Sequence, residues 1–247
     1  MIAITADFTL DAIEMSLLKL FQYIGIYGEM ILQDRESQDT VTRCYEDRLA
    51  LTVRRPVFSI NPRCRYSKCI PSDLQGLVKY IDEFVNGTAD DLGWDYTYHQ
   101  LYAPYLPKVI EELKRCPYSR RACISLVHGT DTSLNPPCLQ QMQFSTHVPL
   151  YGGKRKLDMA VMFRSNDALK AFPMNIQAII SLQEKVAKEL GYDVGRLTYF
   201  VENFHVYEKD LPDLRKAVHI FDTQPVERRC WTDAEVEKCK EKLGISF

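Results

Sequence analysis

Apolar residues recur at helical spacing in five parts of the chain. They lie three and four positions apart, so that each stretch presents one apolar face. The pattern predicts helices over residues 10–24, 74–85, 107–113, 175–190 and 233–243. Thr9 and Thr232 are placed to cap the first and the last of these helices, and Gly191 is placed to end the fourth.

Stretches rich in β-branched and apolar residues separate these helices and predict strands. They cover residues 48–53, 121–127, 141–148, 156–163 and 197–206. Residues 61–72, which include Pro62 and Pro71, predict a loop. Because helices and strands alternate irregularly rather than in βαβ units, we expect one α+β domain over residues 1–247, with a mixed or antiparallel sheet.

The composition allows a sizeable core and indicates no nucleic-acid partner. A chain of 247 residues that is 46% hydrophobic is long enough to form a single domain. Its 31 lysines and arginines against 33 acidic residues give a formal net charge of −2, so no basic field attracts a polyanion. Any phosphate that the protein binds must therefore be held by local arginines.

Acidic residues and cysteines bear on the compartment. Asp7, Asp11 and Glu14 interrupt the apolar pattern near the start, which is unlike a signal peptide or a membrane span. We therefore expect a cytoplasmic protein with no membrane partner, in which the eight cysteines remain reduced thiols. Cys64 and Cys69 could bind a metal, but no second Cys/His pair accompanies them, and we predict no metal site.

One cysteine stands in a context that suits a nucleophile. Cys138 follows Pro136 and Pro137, whose fixed φ angles stiffen the approach to the thiol and present it at one angle. Taken alone, a buried and unreactive cysteine is the more common interpretation of such a position. Local sequence therefore leaves both interpretations open.

Charged and polar residues stand together at the end of a predicted strand. Arg164, Ser165 and Asp167 place a cation, a hydroxyl and a carboxylate within four residues. An arginine there can bind a phosphate and stabilise a nearby thiolate. The alternative is a solvated turn in which Asp167 caps the following helix. Arg120 and Arg121 are likewise either a phosphate clamp or an ordinary basic edge.

Three further residues carry hydrogen-bonding groups suited to a nucleoside. Asn175, at the start of a predicted helix, offers a donor and an acceptor to a flat polar ring, or simply acts as the N-cap. His205 and Tyr207 alternate along a predicted strand, so they point to one face and could hold sugar hydroxyls. A structural histidine with satisfied hydrogen bonds is the alternative.

The order and spacing of these residues resemble the thymidylate synthase family. Arg164 and Asn175 are eleven positions apart, and Asn175 and His205 are thirty apart, as in that family. The resemblance covers residues 117–214. Its motifs are most similar to the short archaeal-type branch: Ser119-Arg120-Arg121, Cys138-Leu139-Gln140 and Phe163-Arg164-Ser165-Asn166-Asp167.

The resemblance implies a covalent mechanism. In the family a cysteine adds to C6 of 2′-deoxyuridine 5′-monophosphate (dUMP), and C5 then captures the methylene of 5,10-methylenetetrahydrofolate. Some archaea use a tetrahydromethanopterin-type carrier instead of folate. Cys138 is implied to be the nucleophile, with Tyr98 beside it and Asp167 at the pterin ring. No metal takes part.

The resemblance also implies how the nucleotide is held. Arg164 and Ser165, with Arg43 as a weaker candidate, are expected at the phosphate, and Arg120 and Arg121 are expected to reach in from the second subunit of a homodimer whose sheets pack back to back. Asn175 is expected to read O4 and N3 of uracil. His205 and Tyr207 are expected at the deoxyribose 3′-hydroxyl.

Three features depart from the family's pattern. The family carries a glutamate on the helix before the Gly87 turn, which would fall at Gly76 or Tyr80, with Gln75, Asp82 and Glu83 as stand-ins. The apolar C-terminal tail of the family is not recognisable in residues 242–247. Asn203 replaces an acid two positions before the histidine.

Two alternatives therefore remain beside a thymidylate synthase. A pyrimidine nucleotide 5-hydroxymethylase, acting on dCMP, CMP or dUMP, uses the same cysteine and folate, but water rather than hydride captures the methylene. Relatives that act on cytosine tend to have Asp in place of Asn175, so the amide favours uracil. A non-catalytic nucleotide- or RNA-binding homologue is the alternative of another class.

Overall fold

A computed structural model describes residues 1–27, 31–33, 42–57, 66–88, 96–127 and 136–247. The strands are β1 Ile2–Ala6, β2 Ile31–Gln33, β3 Thr42–Val53, β4 Tyr66–Ser67, β5 Cys123–Ser125, β6 Leu139–His147, β7 Lys156–Asp167, β8 Asp193–Tyr207 and β9 Cys230–Trp231. The helices are α1 Thr9–Tyr27, α2 Leu74–Asn86, α3 Tyr98–Tyr102, α4 Leu106–Arg115, α5 Phe172–Leu190, α6 Leu211–Thr223, α7 Val226–Arg229 and α8 Asp233–Leu243.

One mixed sheet organises the chain. Its strand order is β1-β3-β8-β7-β6-β5, and β2 adds to β3. The pairs β1/β3 and β7/β8 are parallel, whereas the other pairs of this sheet are antiparallel. The strands β4 and β9 form a separate two-stranded ribbon. The α+β class with a mixed sheet flanked by helices is therefore confirmed.

Alternation along the central strands puts the core on one face of the sheet. In β7 the side chains of Leu157, Met159, Val161 and Phe163 are buried, and those between them are less so. Helices α1 and α5 contact the sheet and each other on this side. Burial of each large apolar side chain contributes about 1.5–3 kcal/mol, which holds the two helices on the sheet.

The opposite face carries an apolar row that remains accessible. Ala50, Phe200 and Met162 lie side by side on β3, β8 and β7 in the strand register. Ala50 and Phe200 are half-buried, and Met162 is 41% exposed. This face of the sheet therefore presents apolar side chains to its surroundings.

Two helix starts differ from the predictions. Thr9 is the first helical residue, and its hydroxyl donates to the Pro56 carbonyl at 2.6 Å, so it ties α1 to the end of β3 and the predicted cap is wrong. Asn175 is not an N-cap either, because α5 begins three residues earlier at Phe172. The Asn175 side chain is thereby available for contacts outside its own helix. The predicted ends at Thr232 and Gly191 are confirmed.

Some elements were not predicted, for identifiable reasons. The alternating burial of β1 is short, and α6 buries only Leu214 and Val218, which gives a weak helical pattern. Residues 61–65 of the predicted loop over residues 61–72 lie outside the described residues, and within the remainder the prediction is partly wrong, because β4 forms there by pairing with β9. That pairing joins segments far apart in the sequence. The predicted strand over residues 121–127 is shorter, covering Cys123–Ser125.

Helix length and the grouping of possible metal ligands can be stated for the described residues. Along the described ranges, each helix is too short or too polar to cross a bilayer. The same ranges contain no group of three or more His, Cys, Asp or Glu side chains arranged for a metal ion. Burial raises the pKa of the Cys69 thiol to about 12, so this thiol stays protonated. Cys64 lies outside the described residues.

Candidate active site

Cys138 stands just before a strand that begins with a bulge. The pairing of β6 with β7 shifts register between Leu139 and Gln141. The side-chain amide of Gln140 donates to the Pro137 carbonyl at 2.5 Å and closes the turn. Bulges of this kind re-aim the neighbouring side chains. The thiol is half-buried, whereas Asn135, which opens the motif, lies outside the described residues.

Arg164 holds the loop that carries the thiol. Its backbone N–H donates to the Cys138 carbonyl at 2.8 Å. Its Nε and Nη2 both donate to the Pro136 carbonyl, at 2.9 and 2.7 Å. A guanidinium can make two such bonds to one oxygen because its donors form a rigid planar fork. The end of β7 thus brings the predicted cation and the predicted nucleophile together.

The thiol and the neighbouring phenol are both protonated at rest. Burial raises the pKa of the Cys138 thiol, and the positive charge of Arg164 counteracts part of this rise. Burial also raises the pKa of Tyr98 well above its usual value, although a bond from the Leu139 backbone lowers it. The Tyr98 ring packs edge-on against Phe163, with centroids 6.2 Å apart. Tyr98 is therefore a neutral hydrogen-bonding group near the cysteine.

The register of β7 with β8 gathers the predicted sugar and phosphate residues. Ser165 pairs with Asn203, and Asp167 pairs with His205. His205 is buried, and its Nδ1 lies 3.2 Å from the Asn203 carbonyl and 3.4 Å from Ser165 Oγ. The carbonyl can only accept, so Nδ1 carries a hydrogen. The Tyr207 ring stands edge-on to His205 at 5.1 Å, as expected for two residues on one face.

Asp167 makes the turn contacts of the alternative interpretation. Its Oδ1 accepts from the backbone N–H groups of Leu169 and Lys170, at 2.9 and 2.8 Å. Both bonds hold the turn that leads into α5. They engage Oδ1, so a contact of Asp167 with a pterin would fall to its other oxygen.

Asn175 belongs to a relay of four side chains. The Tyr80 hydroxyl donates to Asn175 Oδ1, and Asn175 Nδ2 donates to Asn166 Oδ1 at 3.4 Å. Asn166 Nδ2 then donates to the Tyr199 oxygen at 2.6 Å. Burial raises the pKa of both phenols, so both ends of the relay are neutral hydroxyls. We call these four residues the amide relay.

Sequence reasoning missed most of the amide relay. The sequence analysis named Asn166 as part of a motif without giving it a role, and it included Tyr199 only as a position of a predicted strand. Their contact depends on the pairing of β7 with β8 and on α5 packing above them. The available signal was an asparagine between buried positions, since a buried amide needs partners.

The predicted phosphate arginines fall into separate groups. Arg120 and Arg121 are exposed and lie just before β5. The register of β5 with β6 places Arg121 beside Ser145, six residues along β6 from Leu139. At about 3.3 Å per residue, Arg121 is roughly 20 Å from the cysteine of its own chain. Of Arg43 only the backbone position in β3 is described.

The position of the family's glutamate is occupied differently here. Tyr80 is the residue of α2 that contacts Asn175. Gly76 faces Ser72 instead, and Asp82 accepts from Asn86 and Thr88 at the end of α2. Glu83 is buried, which raises its pKa, and its Oε1 has no hydrogen-bond partner within the described ranges. A neutral phenol thus stands at one of the two positions to which the resemblance assigns the family's glutamate.

The last residues dock on the end of α2. Asn86 Nδ2 donates to the Ser246 carbonyl at 2.7 Å, and Lys240 Nζ donates to the Phe247 carbonyl at 3.1 Å. Lys240 also lies 4.1 Å from the centroid of the Phe247 ring. The tail that was not recognisable from its composition is therefore anchored near the Gly87 turn.

Comparison with known proteins agrees with this arrangement. A family model of thymidylate synthase matches residues 80–227, more than half of the chain. The chain belongs to the thymidylate synthase family. This is a family of enzymes that transfer one-carbon units. The matched span begins at Tyr80 and includes Cys138, Arg164, Asn175 and His205.

Individual relatives give the same family. A protein of Methanocaldococcus jannaschii named "Putative thymidylate synthase" is 27% identical over 77% of this chain and 90% of its own length. A thymidylate synthase of Streptococcus pyogenes is 32% identical over 49% of this chain and 43% of its own length. The chain thus spans less than half of that enzyme. Thymidylate synthase A from Bacillus subtilis shares the fold, with a TM-score of 0.61 at 17% identity over 86% of this chain and 84% of that one.

Proposed function

We propose that this protein is a thymidylate synthase that methylates dUMP reductively at C5. The one-carbon donor is 5,10-methylenetetrahydrofolate or a related pterin of the tetrahydromethanopterin type. The observation that carries the proposal is the set of hydrogen bonds that Arg164 donates to the Cys138 and Pro136 carbonyls. These bonds keep a cation beside the loop that carries the half-buried Cys138 thiol. A buried structural cysteine has no need of such a neighbour.

The reaction begins at the thiol. Cys138 loses its proton and its sulfur adds to C6 of the pyrimidine, which makes C5 a nucleophile. Because burial disfavours the thiolate and Arg164 favours it, the thiolate forms when a substrate is in place rather than at rest. Tyr98 is a neutral donor near the sulfur and can bind the developing negative charge.

The later steps transfer carbon and hydride. C5 attacks the methylene of the carrier and then loses its proton, and elimination of the carrier leaves an exocyclic methylene. Hydride from the same carrier reduces this methylene to a methyl group, and the C6–sulfur bond breaks to release the product. Dihydrofolate is the second product, so electrons and atoms balance without a metal or another reductant. Asp167 is proposed to bind the pterin ring.

The nucleotide is proposed to lie across the ends of β7 and β8. Arg164 and Ser165 bind its phosphate, and His205 and Tyr207 bind the 3′-hydroxyl. Ser165 Oγ lies 3.4 Å from His205 Nδ1, and the rings of His205 and Tyr207 are 5.1 Å apart, which supports this placement. Asn175 has two hydrogen-bonding positions left after its relay contacts, one donor and one acceptor. They complement O4 and N3 of uracil.

A homodimer completes the proposed site. The distance of Arg121 from the cysteine of its own chain supports a role of Arg120 and Arg121 at the phosphate of the second subunit. The apolar row of Ala50, Phe200 and Met162 supports back-to-back packing of the two sheets. Size measurement in solution tests this point directly.

The alternative of a 5-hydroxymethylase keeps one observation in its favour. Tyr80, and not a carboxylate, contacts Asn175, so the groups that handle water and protons near the base differ from those of the family. Incubation of the protein with dUMP and dCMP in parallel, each with 5,10-methylenetetrahydrofolate, distinguishes the two. We expect thymidylate and dihydrofolate from dUMP. A hydroxymethylated base without dihydrofolate would support the alternative, and Cys138→Ser is the inactive control.

A further inference from the structure

The amide relay has a property that its four members share. Tyr80 and Tyr199 carry hydroxyls, which both donate and accept, and Asn175 and Asn166 carry amides, which do the same from their two ends. Each contact in the relay can therefore run in either direction. No ionised side chain bonds to these four residues within the described part of the chain, so no described neighbour fixes the direction of the relay.

Counting hydrogens shows that the two directions are nearly balanced. From Tyr80 towards Tyr199, three contacts form and the hydrogen of the Tyr199 hydroxyl is left over. Tyr199 is completely buried, and Asn166 is the hydrogen-bond partner that the structure gives it among the described residues. In the reverse direction the leftover hydrogen is on Tyr80, which is half-buried. Reversal therefore loses no contact and moves the unpaired hydrogen from the Tyr199 hydroxyl to the Tyr80 hydroxyl.

The direction of the relay decides what Asn175 offers to a base. In the direction seen in the structure, the amide N–H group lies towards Asn166 and the carbonyl lies towards Tyr80. Reversal exchanges the two positions. Uracil presents an acceptor at position 4 and a donor at N3, and cytosine presents the opposite pattern. A reversible amide can therefore complement both bases.

We infer that the amide relay makes this site accept cytosine as well as uracil monophosphates, with Tyr80, Asn166 and Tyr199 as positioning residues that let Asn175 turn. The inference rests on the proposed function, because it takes Asn175 as the residue that reads the base. It departs from the expectation that an asparagine at this position selects uracil. A single side chain in the relay that can only accept would fix the direction of the hydrogen bonds, and with it the base that Asn175 complements.

Binding of two nucleotides tests the inference on the unmodified chain. Dissociation constants of dUMP and of 2′-deoxycytidine 5′-monophosphate (dCMP) are measured by calorimetry at pH 8. We expect the two constants to lie within about tenfold of each other, because neither direction of the relay loses a contact. Rejection of dCMP by more than about a hundredfold, with dUMP bound, overturns the inference.

A variant that locks the relay sharpens the test. In Asn166→Asp the hydrogen bonds donated by Asn175 and Tyr199 favour the ionised carboxylate against the cost of burial, and a carboxylate that only accepts holds the direction seen in the structure. We expect the ratio of the dCMP to the dUMP dissociation constant to rise at least tenfold. Asn203→Asp is the matched control, because it adds the same charge beside Ser165 outside the relay. An unchanged or lowered ratio in Asn166→Asp, or an equal rise in Asn203→Asp, overturns the inference.

Failure of the proposed function gives a different result. If neither nucleotide binds to the unmodified chain, the site does not take pyrimidine monophosphates and the proposed function is wrong. If both nucleotides bind and Asn166→Asp leaves the ratio of their dissociation constants unchanged, only the inference about the amide relay is wrong. The ratio also separates a loss of positioning from a loss of folding, because partial unfolding weakens the binding of both nucleotides alike and leaves the ratio unchanged.

Discussion

The buried ion pair of Arg229 and Glu14 predicts a large and pH-dependent loss of stability. Arg229 Nη1 bonds to the Glu14 carboxylate, and the two side chains are 13% and 14% exposed. The Arg229 carbonyl also accepts from the Lys68 backbone at 2.8 Å. Ser67, next to it, donates to Gln177 of α5 at 2.9 Å. The pair thus supports the segment that contacts the helix of the candidate site.

Replacement of Arg229 by Met leaves a buried carboxylate without its partner. Such a break costs about 3–5 kcal/mol. Glu14 Oε1 and Arg229 Nε already lack partners within the described residues, so less bonding is lost than in a fully bonded pair. We therefore take the lower end of the range, about 3 kcal/mol. With an unfolding entropy of about 2.1 cal/mol/K per residue over 247 residues, Tm falls by about 6 °C. The exposed pair of Arg48 and Glu202 is the control, since Arg48→Met costs less than about 1 kcal/mol.

The loss in Arg229→Met depends on pH in a definite direction. Burial raises the pKa of Glu14, and Arg229 lowers it in part. When the pKa of a carboxyl is higher in the folded than in the unfolded state, the folded state binds the proton more tightly. The free energy of unfolding therefore falls as pH rises from the unfolded pKa through the folded pKa. Without Arg229 the pKa of Glu14 rises further, so the variant is less stable at pH 8 than at pH 5 relative to the parent.

Urea unfolding at fixed protein concentration, at pH 5 and pH 8, measures these differences. The double variant Glu14→Gln with Arg229→Met is expected to recover most of the loss, because it leaves no buried charge. Equal losses in Arg229→Met and Arg48→Met would refute the reasoning. So would a larger loss at pH 5 than at pH 8, or a double variant no more stable than the single one.

Three further predictions concern the site and its supports. Alkylation of Cys138 by iodoacetamide is expected to be slow at pH 7 and to keep rising above pH 9, because burial raises its pKa; equal rates for Cys138 and the exposed Cys123 in peptide maps would contradict this. If Arg121 acts across a dimer, mixing Cys138→Ser with Arg121→Ala subunits restores about a quarter of the parental activity by random pairing, whereas no recovery excludes the shared site. Gly87→Ala is expected to cost at least about 2 kcal/mol, because a Cβ there meets the His99 ring at 2.3 Å. Gly191→Ala, with the same left-handed φ and open space around it, is expected to cost about 1 kcal/mol, and equal melting temperatures of the two variants would contradict this difference.

Strong periodic patterns predicted most of the fold. The helix α5 was predicted because its apolar face is long, and β6, β7 and β8 were predicted because their buried residues alternate. The ribbon of β4 and β9 could not be predicted, since two residues carry no periodicity and their pairing joins distant segments. Boundaries shifted where tertiary contacts decided them, as at Asn175.

The candidate site divides in the same way. Arg164, Ser165 and Asp167 were placed correctly at a strand end, because they follow an apolar alternation directly in the sequence. The contact of Arg164 with the cysteine loop needs the pairing of β6 with β7, which the sequence does not display. The amide relay needs three elements to meet. Tyr80 was only one of several places for a missing glutamate, and geometry singles it out by its bond to Asn175.

A covalent adduct at Cys138 tests the central claim most directly. The protein is incubated with 5-fluoro-2′-deoxyuridylate and 5,10-methylenetetrahydrofolate, and its intact mass and its peptides are measured. Fluorine at C5 cannot leave as a proton does, so the reaction stops with sulfur bonded to C6 and the carrier bonded to C5. We expect one nucleotide and one folate per modified chain, both on the Cys138 peptide and absent from Cys138→Ser. An unmodified mass, or modification at another cysteine, would contradict the account.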